Sequence, residues 1–316
     1  MKILANDGIS LIGKKTLEKK GFQVFTQTVP QENLSQYIQD NEIEVLLVRS
    51  ATKVRQELID STDLKLIGRG GVGMDNIDVE YARSKGITVI NTPASSSASV
   101  AEMVMAHSYS IYRNLHQTNR SMPLEGDSQF KELKKAYSSA FELAGKTMGI
   151  IGFGRIGQAV AKAAIGAGMK VIAYDLFVEK ATITLDFFDG RSLDFTISTQ
   201  SFDEVLKHSD IISLHVPSQS KYLISFAEFE KMKDRAVLIN TARGGVVDEK
   251  ALLTTLESGK LLGAALDVFE EEPTPSVFLL MNDALSLSPH LAGNTIEAQE
   301  RIGLELAQQI IDFYEK

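Results

Sequence analysis

A strand that ends in glycine and restarts at once as a helix leaves few folds open, and the centre of this chain is such a unit. Thr147–Phe153 (TMGIIGF) is a short apolar run whose end opens Gly152-Phe153-Gly154-Arg155-Ile156-Gly157, and Gln158–Ala167 (QAVAKAAIGA) then favours a helix. The first glycine permits the tight turn, the second lets backbone N–H groups approach a pyrophosphate, and the third lets the helix lie close on the strand. Phosphates bound there sit at the positive end of the helix. Lys170–Asp175 (KVIAYD) reads as the next strand and ends in an acid, where such folds hold a ribose 2′-hydroxyl. An acid there repels a 2′-phosphate, so the sequence points to NAD rather than NADP.

The same glycine pattern occurs again as Gly68-Arg69-Gly70-Gly71-Val72-Gly73, after the apolar Leu64–Ile67, but its context differs. The segment that follows opens Asp75-Asn76-Ile77-Asp78, and the next strand, Ile87–Asn91, ends in a neutral residue, so the dinucleotide belongs at 152–157. The earlier loop reads as a backbone nest for a small anion, such as a substrate carboxylate or phosphate, or else as a plain structural turn.

Apolar strands recur along the chain with helical stretches between them: Ile3–Ala5, Val24–Thr26, Val45–Val48, Leu64–Ile67 and Thr88–Ile90, then a second set from Thr147 through Lys170–Tyr174, Ile211–Val216, Ala236–Asn240, Leu262–Leu266 and Leu285–Leu287. This alternation predicts an α/β protein with parallel sheets covered on both faces. At 316 residues the chain exceeds the usual size of one core, so two domains are expected. Ser97 to about Leu115 reads as one long helix passing from the first domain to the second. After Pro289 a last amphipathic helix, about Thr295–Tyr314, carries Ile302, Leu306, Ile310 and Phe313 on one face. No further nucleotide-binding strand follows, so this helix is expected to return to the first domain. The predicted boundaries are 1–97 with 289–316 for a discontinuous first domain and 98–288 for the dinucleotide-binding domain. Thr182–Ser198 stands apart as a hairpin about Asp189-Gly190, with no function attached.

Three apolar runs each deliver one polar side chain just beyond their end: Ala236–Arg243 (AVLINTAR), Leu262–Glu272 (LGAALDVFEEE) and Ala284–His290 (ALSLSPH). A cation, a carboxylate and an imidazole at strand ends are the parts needed to hold a substrate anion and move a proton. The chain therefore reads as an enzyme. Among the other histidines, His107 and His116 are assigned to the long helix and His208 to the approach to a strand, all as packing or surface residues. His215, at the strand end Leu214-His215-Val216-Pro217, is the rival to His290 and reads as a wall of the cofactor pocket. Zero cysteines exclude disulfides, thiolate catalysis and Cys-based metal sites, and no His pair suggests another metal. A net charge of −8 without a basic run argues against nucleic acid. No apolar run approaches the ~20 residues of a membrane span, and the Met1-Lys2-Ile3-Leu4 start is a strand rather than a signal peptide, so a cytoplasmic location is expected.

With these segments placed, the chain resembles the D-isomer-specific 2-hydroxyacid dehydrogenases over nearly its full length. The resemblance rests on GFGRIG at 152–157, NTARGGVVDEKAL at 240–252, GAALDVFEEEP at 263–273 and SPHLAGNT at 288–295. VRSATKV at 48–54 and IGRGGVGMDNID at 67–78 look most like the phosphoglycerate dehydrogenase branch. The family implies two doubly wound parallel-sheet domains, a flavodoxin-like substrate domain and a Rossmann NAD-binding domain, with a cleft between them that excludes water on closing. It implies that Arg243 grips the substrate carboxylate and C2 oxygen, that His290 exchanges the proton of the C2 hydroxyl, and that Glu272 supports the protonated His290. Glu270 and Glu271 adjoin Glu272, and only the pattern from Asp267 to Pro273 selects it. Cofactor contacts are implied for Val72, Gly152, Gly154, Arg155, Ile156, Gly157, Asp175, His215, Val216, Pro217, Thr241, Ala242, Asp267 and Gly293.

Arg49, Arg69, Gly70, Gly71 and Lys135 are the candidates for the substrate, with Lys135 reaching a neighbouring subunit's site. The implied reaction is NAD-dependent oxidation of D-3-phosphoglycerate to 3-phosphohydroxypyruvate, the entry to serine synthesis. The alternatives are another D-2-hydroxyacid (glycerate, glyoxylate, lactate or a branched acid) or an NAD-sensing scaffold like the corepressors of the same family. Ala94-Ser95-Ser96-Ser97 departs from the phosphoglycerate branch and leaves the substrate less secure than the reaction. The partners expected are a small 2-hydroxy or 2-keto acid and a second copy of the chain, a homodimer built around the long helix. The regulatory C-terminal domain of longer relatives is not expected.

Overall fold

A computed structural model describes residues Met1–Glu315. The chain divides into two compact units, Met1–Ser97 with Gly293–Lys316 and Ala98–Ala292. The return thus falls at Gly293 rather than at 289. The reason is Asp267, whose carboxylate accepts from Leu291 N and Ala292 N and keeps that turn with the second unit.

The first unit holds a parallel sheet of β1 (Lys2–Ala5), β2 (Gln23–Phe25), β3 (Val45–Val48), β4 (Leu66–Arg69) and β5 (Thr88–Asn91), in the order β2-β1-β3-β4-β5. That order is the flavodoxin-like one. All four residues of β3 (VLLV) are buried, as a strand covered on both faces requires. Alternate residues feed the two sides: Leu4, Leu46 and Val48 join one core, while Ile3, Ala5, Val45 and Leu47 join the other. The second core is closed by Ala307, Ile310 and Ile311 of the helix Ile296–Tyr314, whose first turn is capped by Thr295 accepting from Ala298 N at 3.1 Å. This helix crosses the helix Leu11–Lys19 so closely that a Cβ on Gly13 would lie 2.6 Å from Gly303 O. β4 begins two residues later than expected from the apolar run Leu64–Ile67, which makes Arg69 its last residue.

The second unit holds six parallel strands: β6 (Thr147–Ile151), β7 (Lys170–Tyr174), β10 (Ile211–Leu214), β11 (Ala236–Asn240), β12 (Leu261–Leu266) and β13 (Leu285–Leu287), ordered β13-β12-β11-β10-β6-β7. Winding proceeds from β6 to β7 on one side and resumes at β10 on the other, so β6 and β10 flank the topological switch where such sheets bind ligands. Between them in sequence, β8 (Lys180–Asp186) and β9 (Ser192–Ser198) pair antiparallel as the expected hairpin, with Gly190 at φ +83° in its turn. The long helix spans Ser97–Tyr112 and stops before Asn114, which takes a left-handed conformation. His116 therefore lies not on it but on the following helix, Leu115–Glu125. Among the described residues no helix is long and apolar enough to cross a membrane.

Candidate active site

Each glycine of the central loop answers to a different requirement. Gly152 has φ +94°, and a Cβ there would stand 2.3 Å from His215 O, because the turn out of β6 presses on the end of β10. A Cβ on Gly157 would meet Gly152 O at 2.1 Å, so the helix Arg155–Gly166 packs directly onto its own turn. Gly154 has nothing within 4 Å of its Cβ position and gives the helix no side-chain cap. The N–H groups of the first turn, from Arg155, Ile156 and Gly157, lack intrahelical acceptors, the arrangement that suits a pyrophosphate. Asp175, just beyond β7, accepts from Phe153 N at 2.6 Å, which seats the acid against the same loop, and it also accepts from Phe177 N and Val178 N. Past β11, the Thr241 hydroxyl is buried without a partner, and Ala242 follows it. A glycine cradle, an acid at the second strand and an orphaned hydroxyl fit a dinucleotide. Val72 and Gly293, by contrast, belong to the first unit.

His215 lies beside this cradle, followed by Val216 and Pro217. Its Nε2 is 2.8 Å from Ser213 Oγ, and burial pushes its pKa down to about 3. A ring so reluctant to ionise is poorly matched to proton exchange near neutrality, which separates it from the role considered for His290. Burial also lowers His107 and His116 below their ordinary value of 6.5. On acidification the unfolded chain takes up protons on these three residues below pH 6.5 while the folded chain refuses them. The resulting stability is intact above pH 6.5 and falls progressively between 6.5 and about 3. Melting temperatures measured from pH 8 to pH 4 are expected to fall on the acid side, with a shallower slope for His215→Gln; equal slopes would remove His215 as a cause.

The polar side chains at the next three strand ends are gathered by backbone links. Asn240, 1% exposed at the end of β11, accepts from Ala242 N through Oδ1 and donates Nδ2 to Arg243 O, while its own carbonyl accepts from Asp267 N at 3.0 Å. A Cβ on Gly244 would lie 1.8 Å from Phe269 O, so the loop of Arg243 lies directly on the loop leading to Glu272. Arg243 donates Nη1 to Ala242 O at 2.6 Å. Glu272 accepts from Phe269 N through Oε1 and meets His290 Nδ1 through Oε2 at 2.9 Å. An ionised carboxylate only accepts, so Nδ1 carries the proton and Nε2 of the neutral ring carries a lone pair.

His290 is one of few non-glycine residues at positive φ (+56°), a conformation costing about 1 kcal/mol. Asp267 maintains it: its carbonyl accepts from His290 N, and its carboxylate accepts from Ser288 Oγ, Leu291 N and Ala292 N. At 1% exposure Asp267 is thus the anchor of the His290 turn, and any cofactor contact falls to its remaining lone pairs. Nothing in the local sequence marks Asn240 or Ser288 for these roles.

In the first unit, the parallel register Val48↔Arg69 sets Arg49 and Arg69 at the same edge of neighbouring strands. Asp7 accepts from Arg49 N and Thr52 N and fixes the loop after β3, and Asn76 donates to Arg49 O and Thr52 O. Burial pulls the Arg49 guanidinium below its ordinary pKa, with the Asp7 charge opposing, and it donates to Asn294 Oδ1 at 3.1 Å. At 68–73 the backbone nest is not open at Gly70 and Gly71. Gly70 N donates to Val48 O and Gly71 N to Arg69 O, so those two amides are spent on the chain's own carbonyls. Lys135 lies on the helix Phe130–Ala136 of the second unit and is exposed.

A family model described as D-isomer specific 2-hydroxyacid dehydrogenase, NAD binding domain, matches residues 105–292. The chain belongs to the D-isomer-specific 2-hydroxyacid dehydrogenases, a family of NAD-dependent oxidoreductases. A hydroxypyruvate reductase of Thermotoga maritima is 41% identical over 300 residues, covering 93% of this chain and 92% of that protein. A D-3-phosphoglycerate dehydrogenase of Methanocaldococcus jannaschii is 41% identical over 313 residues, 98% of this chain but 57% of that protein, so the chain spans little more than half its length. Among solved structures, D-lactate dehydrogenase from Aquifex aeolicus complexed with NAD and lactic acid matches with a TM-score of 0.75 at 30% identity, over 100% of this chain and 96% of that one.

Proposed function

We propose that this dehydrogenase interconverts D-3-phosphoglycerate and 3-phosphohydroxypyruvate. Bound NAD supplies the hydride acceptor, held by the glycine turn at Gly152–Gly157, by Asp175 and by Thr241. Arg243 engages the substrate carboxylate with a planar fork that matches it in two places. His290 Nε2 exchanges the proton of the C2 oxygen, and Glu272, 2.9 Å from Nδ1, fixes the ring and supports its charged form.

The observation that carries the choice of a phosphorylated substrate is the pair of guanidinium groups, Arg49 and Arg69, at one edge of adjacent parallel strands. A carboxylate is already served by Arg243, and further cations suit a second anionic group. A hydroxypyruvate reductase is the second reading, favoured by the Thermotoga relative, which is matched over nearly its whole length. NADH oxidation assayed against glyoxylate, pyruvate, hydroxypyruvate and 3-phosphohydroxypyruvate separates the two. The phosphorylated acid is expected to have the highest kcat/KM, and Arg69→Glu to raise its KM roughly 30-fold, about the 2 kcal/mol lost with a charged partner, while sparing hydroxypyruvate. Indifference of Arg69→Glu to the phosphate would leave the second reading in place. A homodimer belongs to this proposal, supported by exposed Leu124 (79%) and Phe130 (57%) after the long helix; a monomer on sedimentation would withdraw it.

A further inference from the structure

The second unit contains a histidine to which the site gives no part. His107 lies on the helix Ser97–Tyr112, is 6% exposed, and has both ring nitrogens engaged: Nδ1 is 2.9 Å from Ser286 Oγ and Nε2 is 3.1 Å from Ser288 Oγ. Ser288 in turn donates to Asp267 Oδ1 at 2.5 Å, and Asp267 is the anchor of the His290 turn. A side chain on a helix is thereby joined, through one hydroxyl, to the carboxylate that orders the proton-exchanging residue.

The direction of this chain of bonds follows from counting protons. The Asp267 carboxylate can only accept, so the single hydroxyl proton of Ser288 goes to it. Towards His107, Ser288 Oγ is then an acceptor, and His107 must carry its proton on Nε2. Burial keeps this imidazole neutral, which leaves Nδ1, at 2.9 Å, as a closer acceptor for the Ser286 hydroxyl than Ser110 Oγ at 3.5 Å. Donation runs one way, from Ser286 through His107 and Ser288 to Asp267. Take away the His107 donor and Ser288 keeps no fixed orientation; its bond to Asp267 then competes with other rotamers.

We propose that His107 is a positioning residue for proton transfer: acting through Ser288, it holds the Asp267 carboxylate and so the turn that presents His290 to Glu272. The proposal rests on the reading of His290 as the acid–base group.

The test uses the chain as it stands, with hydroxypyruvate and NADH as assay substrates. His107→Leu is expected to lower kcat about tenfold, a fraction of what a displacement of about 1 Å costs, while KM and the NADH dissociation constant move less than about twofold. His107→Gln places an amide N–H where Nε2–H stood and is expected to recover most of the loss. Ser288→Ala is expected to match His107→Leu, and the double variant to be no worse than either. A histidine that only fills space gives the opposite pattern: Leu tolerated as well as Gln, kcat unchanged, and losses in the double variant that multiply. Should His107→Leu not fold, Ser288→Ala and the ¹⁵N shifts of the His107 ring decide, and either an unchanged kcat or an Nδ1–H tautomer overturns the proposal. His290→Asn is the control. Full activity there defeats the assignment of His290 itself, whereas its near-complete loss beside unimpaired His107→Leu and Ser288→Ala defeats the positioning role alone.

Discussion

His290→Asn is expected to lower kcat for keto-acid reduction by roughly 10²–10⁴-fold, the contribution of a well-placed general acid–base group. Asparagine is the informative replacement because its amide can still donate to Glu272 Oε2, the contact that His290 Nδ1 makes at 2.9 Å. It also tolerates the left-handed backbone that residue 290 adopts at φ +56° better than most side chains do. What it cannot do is shuttle a proton from the far side of a ring. The loss is therefore expected in kcat, with NADH binding, followed by fluorescence titration, close to that of the parent. A variant with more than about a tenth of parental kcat would show that another group, or water, moves the proton.

Arg243→Lys is expected to lower kcat/KM by roughly 10²-fold or more, comparable with removal of one donor aimed at developing charge. The change keeps the charge and removes the fork. Arg243 leaves a loop that Asn240 clamps from both sides and that lies on Phe269, so its Cα cannot shift to let a shorter cation reach the same oxygens. Lysine has three donors on one rotating nitrogen and cannot reproduce two parallel bonds to a carboxylate. Steady-state kinetics against pyruvate, the simplest 2-keto acid, would test this without the complication of a phosphate. Near-parental kcat/KM would mean that the carboxylate is held elsewhere.

Much of this architecture could be read from the residues alone because its signals are local. The glycines at 152, 154 and 157 stand for a sharp turn, an open face and a tight helix contact, and the structure shows a separate physical need at each. Strands buried on both faces, such as Val45–Val48, can be recognised from an unbroken apolar run. Arg243 and His290 are each the first group of their kind past such a run, whereas Glu272 is the third glutamate past its own and only the pattern from Asp267 to Pro273 marks it.

What escaped notice depends on partners distant in sequence. His107 gains its meaning from Ser286 and Ser288, and no pattern near position 107 announces them. Asn240 reads as the polar end of a strand, yet its side chain spans its own loop. The glycines at 70 and 71 suggested free amides, but β4 runs on to Arg69 and the neighbouring carbonyls take those donors. The return point lay at 293 because a carboxylate at 267 claims the amides at 291 and 292, a tertiary bond with no trace in hydrophobic periodicity.

The helix Ile296–Tyr314 closes one face of the first unit's sheet, covering Ile3, Val45, Leu47 and Leu66 with Ala307, Ile310 and Ile311. Its strands leave the ribosome before the contiguous second unit and their cover only after it. The nascent chain must therefore carry a bare aliphatic surface while the second unit is being made. The unit that starts first finishes second, and its sheet stays open to mispairing until the helix Ile296–Tyr314 has been synthesised.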